Sequence, residues 1–256
     1  MTAESIQVSP RIRRIGRGMV NSYLVEDGGD VTIVDAGAPA YWGQLPAELA
    51  AIGRSLDDVR SVVLTHGHSD HIGFAERIRS ERGTPIRVHE LDAALARGEV
   101  PNPAKGLGPT RVRPLLEFML FSLRNGMMRI PRITEVATFG DGTTLDVPGA
   151  PRVILVPGHT PGSAALLFAG HDALFVGDAM ATHSVTTGDD GPRISPFTAD
   201  PVQALASLDR LLDVQAGLVL PGHGQAWSGG VAAAVAAVRA AAVSTTFSRQ
   251  AASVGQ

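Results

Sequence analysis

Apolar residues along this chain form short runs broken by glycine, proline and aspartate, a pattern typical of β-strands joined by turns. The clearest turn is Asp27-Gly28-Gly29-Asp30, where two glycines can supply the positive φ values of a tight hairpin. Stretches with helical spacing lie between the strands, and one of them stops at Gly83, as helices often do. Strands are predicted at residues 21–26, 31–34, 59–64, 85–88, 134–139, 153–156, 164–168, 173–176 and 218–220, and helices at 41–52, 72–82, 200–212 and 230–243.

The predicted elements repeat in two similar halves. Each half runs from strands through a histidine-bearing loop to a helix, which predicts an α/β fold of two face-to-face β-sheets with helices outside. We expect the whole chain, residues 1–256, to be one domain. Residues 100–132 differ, because prolines break up their first part while 115–123 is densely apolar. We predict a helical insertion there, serving as a lid, as a contact within a homodimer, or as a packed helix.

Composition narrows the classes of function. The chain has no cysteine, so disulfides and thiolate metal sites are excluded. A formal charge of −3 gives no electrostatic basis for binding nucleic acid or a membrane. The cluster Arg11, Arg13, Arg14 and Arg17 is expected to be a solvated surface, with a phosphate-binding patch as the alternative. No signal-peptide core follows it, so we expect a cytoplasmic protein, and the frequent Ala, Arg and Gly residues indicate a bacterial one.

The strongest chemical feature is His66-x-His68-x-Asp70-His71, which directly follows an apolar run. These side chains cannot share one helix face or alternate on one strand face, so we expect a loop that folds around an ion. Imidazole and carboxylate groups without thiolate suit Zn²⁺, iron or Mn²⁺. Three more metal-capable side chains each follow an apolar strand and a glycine: His159, Asp178 and His223.

Together these motifs resemble those of the metallo-β-lactamase superfamily. Residues 65–71 are similar to its signature loop, and the segments around His159, Asp178 and His223 are similar to its later motifs, in the same order. Asp35, in a Val-Asp-Ala-Gly segment, is similar to the family's supporting aspartate. The resemblance implies the four-layer αββα sandwich of that family.

The resemblance also implies a centre of two metal ions per chain, with zinc expected and iron or manganese as alternatives. The implied ligands are His66, His68 and His159 for one ion, Asp70, His71 and His223 for the other, and Asp178 as a bridge. Asp35 would accept a hydrogen bond from a ligand imidazole. Asp70 would also be catalytic, orienting a bridging hydroxide for attack on a carbonyl carbon. His183, five residues beyond the bridge, is a candidate substrate contact.

The function implied is metal-dependent hydrolysis of a small ester, thioester or lactone. The bridging aspartate resembles that of glyoxalase II, but few basic residues follow His223 to hold glutathione. Lactonases that act on acyl-homoserine lactones carry a tyrosine in their second half, whereas the tyrosines here are Tyr23 and Tyr41. The expected partner is therefore a small-molecule substrate, with no nucleic acid and no membrane.

Two alternatives from other classes stay open at this point. Persulfide dioxygenases resemble the same scaffold and use one iron, which here could be held by His159, Asp178 and either His66 or His68. Two metals per chain would count against that oxidoreductase. The other alternative is a metal-binding scaffold without catalysis.

Overall fold

The computed structural model describes residues 6–104 and 106–254, with side chains described as far as residue 244. In chain order, the strands and helices of these residues are β1 (Ile6–Ser9), β2 (Ile12–Ile15), β3 (Ser22–Asp27), β4 (Asp30–Val34), α1 (Leu45–Ala50), β5 (Val59–Val63), α2 (Ala75–Arg82), β6 (Ile86–His89), α3 (Ala93–Ala96), α4 (Val112–Arg124), β7 (Ala137–Phe139), β8 (Arg152–Leu155), β9 (Ala164–Phe168), β10 (Ala173–Gly177), β11 (Ala181–His183), β12 (Asp190–Arg193), α5 (Pro201–Ser207), β13 (Leu218–Pro221) and α6 (Val231–Val254). Within the described ranges, every helix is too short or too polar to span a lipid bilayer.

Two β-sheets form the centre of the molecule. The first has seven strands in the order β1-β2-β3-β4-β5-β6-β7, antiparallel as far as β4 and parallel from β4 to β7. The second has the order β13-β10-β9-β8, with β13 parallel to β10. The predicted hairpin joins β3 to β4, and both Gly28 and Gly29 have positive φ angles of 61° and 98°. Glycine is needed there because side chains strain such a backbone.

The two sheets pack face to face over a shared apolar core. Tyr23 of the first sheet and Phe175 of the second meet edge to face, with ring centroids 5.1 Å apart. The outer face of the first sheet packs on α1 and α2, through residues such as Ile78. The outer face of the second packs on α6, through residues such as Val235, and on the α5 segment. These layers confirm the predicted αββα sandwich.

Some predicted boundaries are wrong for local reasons. The predicted helix 41–52 is split into a 3-10 turn, Pro39–Gly43, and the short α1, which has a proline in its first turn. Proline has no N–H to continue a helix from upstream, so the longer helix is broken there. The predicted helix 72–82 begins only at α2, after the N–H groups of Gly73 and Phe74 donate to the carbonyl oxygens of Gly37 and Ala36.

The insertion contains one helix among the described residues, α4, which begins three residues before the predicted apolar run. Its inner face reaches the core of the first sheet through Phe121. Its outer face exposes large apolar side chains, namely Val112, Leu116, Met119, Leu120 and Leu123. The lid and homodimer roles stay predictions.

The expected solvent exposure of the arginine cluster is wrong for Arg14. Arg14 is only 1% exposed, because β2 directs its side chain inward. Its Nη1 donates to the carbonyl oxygen of Gly224 at 3.1 Å and to Oε1 of Gln225 at 2.9 Å. The side chains of His89 and His171 are also buried. Alternation did not show that Arg14 is buried, because the adjacent Arg13 and Arg14 put one charge on each face of β2.

Candidate metal centre

The predicted ligands come from loops that directly follow four strands. The signature loop follows β5, His159 follows β8, Asp178 follows β10 and His223 follows β13. Among the described residues, their ligand atoms form three overlapping groups, each within 4.8 Å: His66, His68 and His159; His66, His71 and Asp178; and Asp70, His71 and His223. Residues from both halves of the chain thus meet at one place.

Asp178 lies between the two predicted ligand sets. Its Oδ2 is 3.4 Å from Nε2 of His159 and 3.1 Å from Nε2 of His223. Its Oδ1 is 3.5 Å from Nε2 of His71. Gly222 leaves room for this carboxylate, since a Cβ there would come within 2.4 Å of Oδ1. The carboxylate therefore faces histidines of both sets, as a bridging ligand must.

Asp35 holds the first histidines in orientation. Nδ1 of His71 donates to Oδ2 of Asp35 at 2.9 Å, and the Thr65 amide donates to Oδ1 at 2.8 Å. The Thr65 hydroxyl donates to Asp35 and accepts from Nδ1 of His66 at 3.1 Å. These bonds leave Nε2 of His66 and of His71 directed at the centre, which is how a carboxylate partner fixes a ligand tautomer.

The later histidines are held in the same way by neutral oxygens. Nδ1 of His159 donates to Oγ of Thr198 at 3.0 Å, because that hydroxyl already donates to the carbonyl oxygen of Ser195. Nδ1 of His223 donates to the carbonyl oxygen of Met19. In both rings Nε2 is then the nitrogen that faces Asp178. Thr198 was not predicted, because a lone threonine in a loop carries no sequence signal.

The donor set fits a metal cation. Four buried ligand atoms have no hydrogen-bond partner among the described residues: Nε2 of His66, His68 and His71, and Oδ1 of Asp178. Leaving a buried polar atom unsatisfied costs about 1–3 kcal/mol. Four such atoms converging on one place are explained if they bind cations, and nitrogen with carboxylate oxygen suits zinc, iron or manganese.

Burial and mutual charge put His66, His159 and Asp178, but not His223, in the protonation states that metal ligands need. Burial lowers the pKa of His66 and lowers that of His159 to about 3, so both rings are neutral. Burial acts to raise the pKa of Asp178, but the charges of His223 and His71 hold it well below its usual range. Burial likewise opposes a charge on His223, yet Asp178 and Asp70 raise its pKa to about 10. Metal binding there would displace that proton.

His183 lies outside the ligand groups. It ends β11, and its Nδ1 donates to Oδ1 of Asp190 at 2.8 Å. It lines a surface cavity of about 410 Å³ together with Met19, whose carbonyl holds the His223 ring. The predicted substrate contact stays a prediction, now with a cavity beside it.

Known proteins share this sequence pattern and fold. A sequence model of the metallo-β-lactamase superfamily matches residues 15–223. Probable metallo-hydrolase YybB of Bacillus subtilis (strain 168) is 27% identical over 207 residues, 80% of this chain and 81% of that protein. The metallo-β-lactamase family protein TTHA1429 from Thermus thermophilus has 26% identity and a TM-score of 0.63, covering 90% of this chain and 78% of that one. TTHA1623 in a di-iron-bound form has 27% identity and a TM-score of 0.59, covering 86% and 95%.

Proposed function

This chain belongs to the metallo-β-lactamase superfamily, and we propose that it is a dinuclear metal-dependent hydrolase of a small ester, thioester or lactone. The observation that carries the proposal is the position of the Asp178 carboxylate between the two histidine sets. One metal would be held by His66, His68 and His159 and the other by Asp70, His71 and His223. Zinc is the expected metal, and the di-iron form of TTHA1623 supports two metals while leaving iron as an alternative.

Metal ions bound there would supply polarisation of the substrate carbonyl and a water whose pKa is lowered toward neutrality. The chain's own contribution is orientation. Asp70 has a side chain 16% exposed, more than Asp178 at 4%, so it can reach water at the open side of the centre. The charges of His71 and His223 outweigh its burial and lower its pKa, so it is ionised. It would therefore accept a hydrogen bond from the attacking water and aim that water's lone pair at the carbonyl carbon.

The cavity beside His183 supports a small, uncharged substrate. Its charged lining residues are already paired, Arg111 with Asp189 at 2.6 Å and Arg113 with Glu117 at 2.9 Å. Apolar side chains such as Val185 complete the wall. A neutral acyl or alcohol group would meet no unpaired charge there, whereas an anionic one would compete with existing ion pairs.

The dioxygenase alternative needs only His159, Asp178 and one histidine of the signature loop. It leaves no role for Asp70, His71 and His223, although their ligand atoms lie within 4.8 Å of one another. A scaffold without catalysis would use Asp70 only as a ligand and gives no role to the exposed part of its carboxylate. Hydrolysis gives every one of these side chains a role.

The test is a metal count with an activity screen on the purified full chain. We expect close to two divalent metal ions per chain and hydrolysis of neutral esters, thioesters or lactones that a chelator abolishes. Asp70→Asn should lose at least roughly a hundredfold in kcat, the usual range for an oriented proton acceptor. One iron per chain with oxygen uptake on a persulfide would overturn the proposal, and full activity in Asp70→Asn would remove Asp70 from the mechanism.

A further inference from the structure

A buried carboxylate outside the ligand groups contacts both histidine loops. Asp92 is 0% exposed and stands at the start of α3. Aspartate at a helix start ordinarily accepts hydrogen bonds from the first turn of its own helix. Here its side chain makes no such bond to α3. Among the described residues no arginine, lysine or histidine forms an ion pair with it either, so neither a helix cap nor a salt bridge explains its burial.

The groups that donate hydrogen bonds to Asp92 belong to residues close in sequence to the proposed metal ligands. Its Oδ2 accepts from the amide of Gly67, which lies between His66 and His68, at 2.8 Å. The same oxygen accepts from the hydroxyl of Thr160, the residue after His159, at 2.7 Å. Its Oδ1 accepts from the amide of Gly162 at 2.7 Å. Hydrogen bonds to an ionised carboxylate are about twice as strong as neutral ones, so three of them fix both loops firmly.

Packing enforces the same arrangement. A Cβ on Gly162 would come within 2.6–2.7 Å of the Asp92 backbone nitrogen, Cβ and Oδ1. A Cβ on Gly67 would lie 2.8 Å from the Ala96 nitrogen at the end of α3. Both loops therefore lie directly against the turn that carries Asp92, with no space for a side chain between them.

We propose that Asp92 is a positioning residue that sets the distance between the signature loop and the His159 loop, and so shapes the first metal position. The inference rests on the proposed metal centre. Nε2 of His159 is 2.9 Å from Nδ1 of His68, so the two loops already bring their ligands together. The histidines of the second set have hydrogen-bond partners other than Asp92, since His71 donates to Asp35 and His223 donates to the Met19 carbonyl. Asp92 should consequently affect one metal position and not the other.

The experiment is a zinc titration of metal-free protein against a chromophoric chelator. The two binding steps are assigned with His68→Ala, which lacks a ligand of the first set, and His223→Ala, which lacks one of the second. For Asp92→Asn we expect zinc affinity to fall 10- to 100-fold at the first position, the usual cost of losing a partner that orients ligands. The second position should change by less than about tenfold, the lower end of that cost, because its ligands keep their own partners. The absorption spectrum of the Co²⁺-loaded variant should change for the first position alone.

Two further variants keep the test decisive. Thr160→Val removes one donor while keeping the side-chain shape, and should weaken the first position alone but by less. Asp58→Asn makes the same chemical change in an exposed capping box far from the centre and should alter neither position. Equal weakening of both positions, or lower thermal stability with unchanged zinc affinity, would overturn the positioning role. A wild-type chain that binds no metal would instead overturn the proposed function on which the inference rests.

Discussion

The metal centre and helix α4 stand at opposite extremes of structural constraint. At the centre, His66, His159 and Asp178 are almost fully buried. Hydrogen bonds to the hydroxyls of Thr65 and Thr198 orient the two imidazole rings. On α4, Val112 is 77% and Leu123 66% exposed. The first region therefore tolerates little change of shape, whereas the outer face of the second can change with little effect on the fold.

The two regions nevertheless touch through a short chain of contacts. The ring of Phe118 on α4 lies 6.2 Å from that of Phe197. Phe197 has a φ of 59°, a conformation that bulky residues rarely adopt, and the next residue, Thr198, accepts from His159. The inner face of α4 is therefore part of the support of the centre, while its outer face is not.

The largest effect is expected for His159→Ala. Removing this imidazole takes away one of the three proposed ligands of the first metal and leaves Asp178 with His71 and His223 as its remaining buried partners. We expect hydrolysis to fall at least about a thousandfold, in the range found when a principal catalytic element is lost, and about one metal ion per chain to be lost. Elemental analysis and steady-state kinetics measure both.

His183→Ala is the matched control for that variant. It removes a histidine beside the cavity that belongs to none of the ligand groups. It should keep both metals and alter KM more than kcat. If His183→Ala loses a metal ion, or if His159→Ala keeps both, the ligands are assigned wrongly.

The contrast between the regions also explains which residues the sequence revealed. The sequence alone indicated a metal site in one loop, because metal ions are bound by the residue types that it contains: His66, His68, Asp70 and His71. The supporting role of Asp35 was predicted only because its short segment resembles a motif of the superfamily. For α4, the sequence showed only that the segment is apolar. It did not indicate which face of the helix packs against the core.

The supporting residues could not be predicted for a physical reason. In the sequence, Asp92 looks like an ordinary helix cap after a strand. Its hydrogen bonds to the His159 loop come from Thr160 and Gly162, which are 68 and 70 positions further along the chain. Arg14 lies in a strand with charges on both faces, and its partner Gly224 is 210 residues away. Such long-range hydrogen bonds are set by the packing of the two sheets, which no local pattern records.

Substitutions on the two faces of α4 should differ in their effect on stability. Phe118→Ala should lower the free energy of unfolding by about 1–2 kcal/mol, less than for a fully buried phenylalanine because the ring is half-buried. It should also raise KM, since Pro114 and Glu117 of the same helix line the cavity. Leu116→Ala, on the exposed face, should change stability by no more than about 0.5 kcal/mol. Urea unfolding of both variants measures this, and equal effects would show that α4 has no inner and outer face.

The smallest effect is expected where the insertion rejoins the first sheet. Glu76 of α2 accepts from Arg79 at 2.9 Å and from the amide of Thr134, just beyond the insertion, at 3.0 Å. The hydrogen bond from Arg79, with that of Thr134, lowers the pKa of Glu76 from 4.5 to about 2. Glu76→Gln should therefore cost about 1 kcal/mol at neutral pH, a value limited by solvent screening of the pair. Glu81→Gln, which breaks the exposed Arg77 pair on the same helix, is the control and should have no measurable effect.

The pH dependence decides whether the charge of Glu76 is the cause. Its pKa is lower in the folded protein than in the unfolded chain, so its contribution is complete above pH 4.5 and is lost as the pH falls toward 2. The difference in unfolding free energy between wild type and Glu76→Gln should accordingly shrink to about half near pH 3 and disappear near pH 2. A difference that stays constant over this range would mean that shape, not charge, ties Thr134 to α2. The end of the insertion would then be held by packing, as the inner face of α4 is.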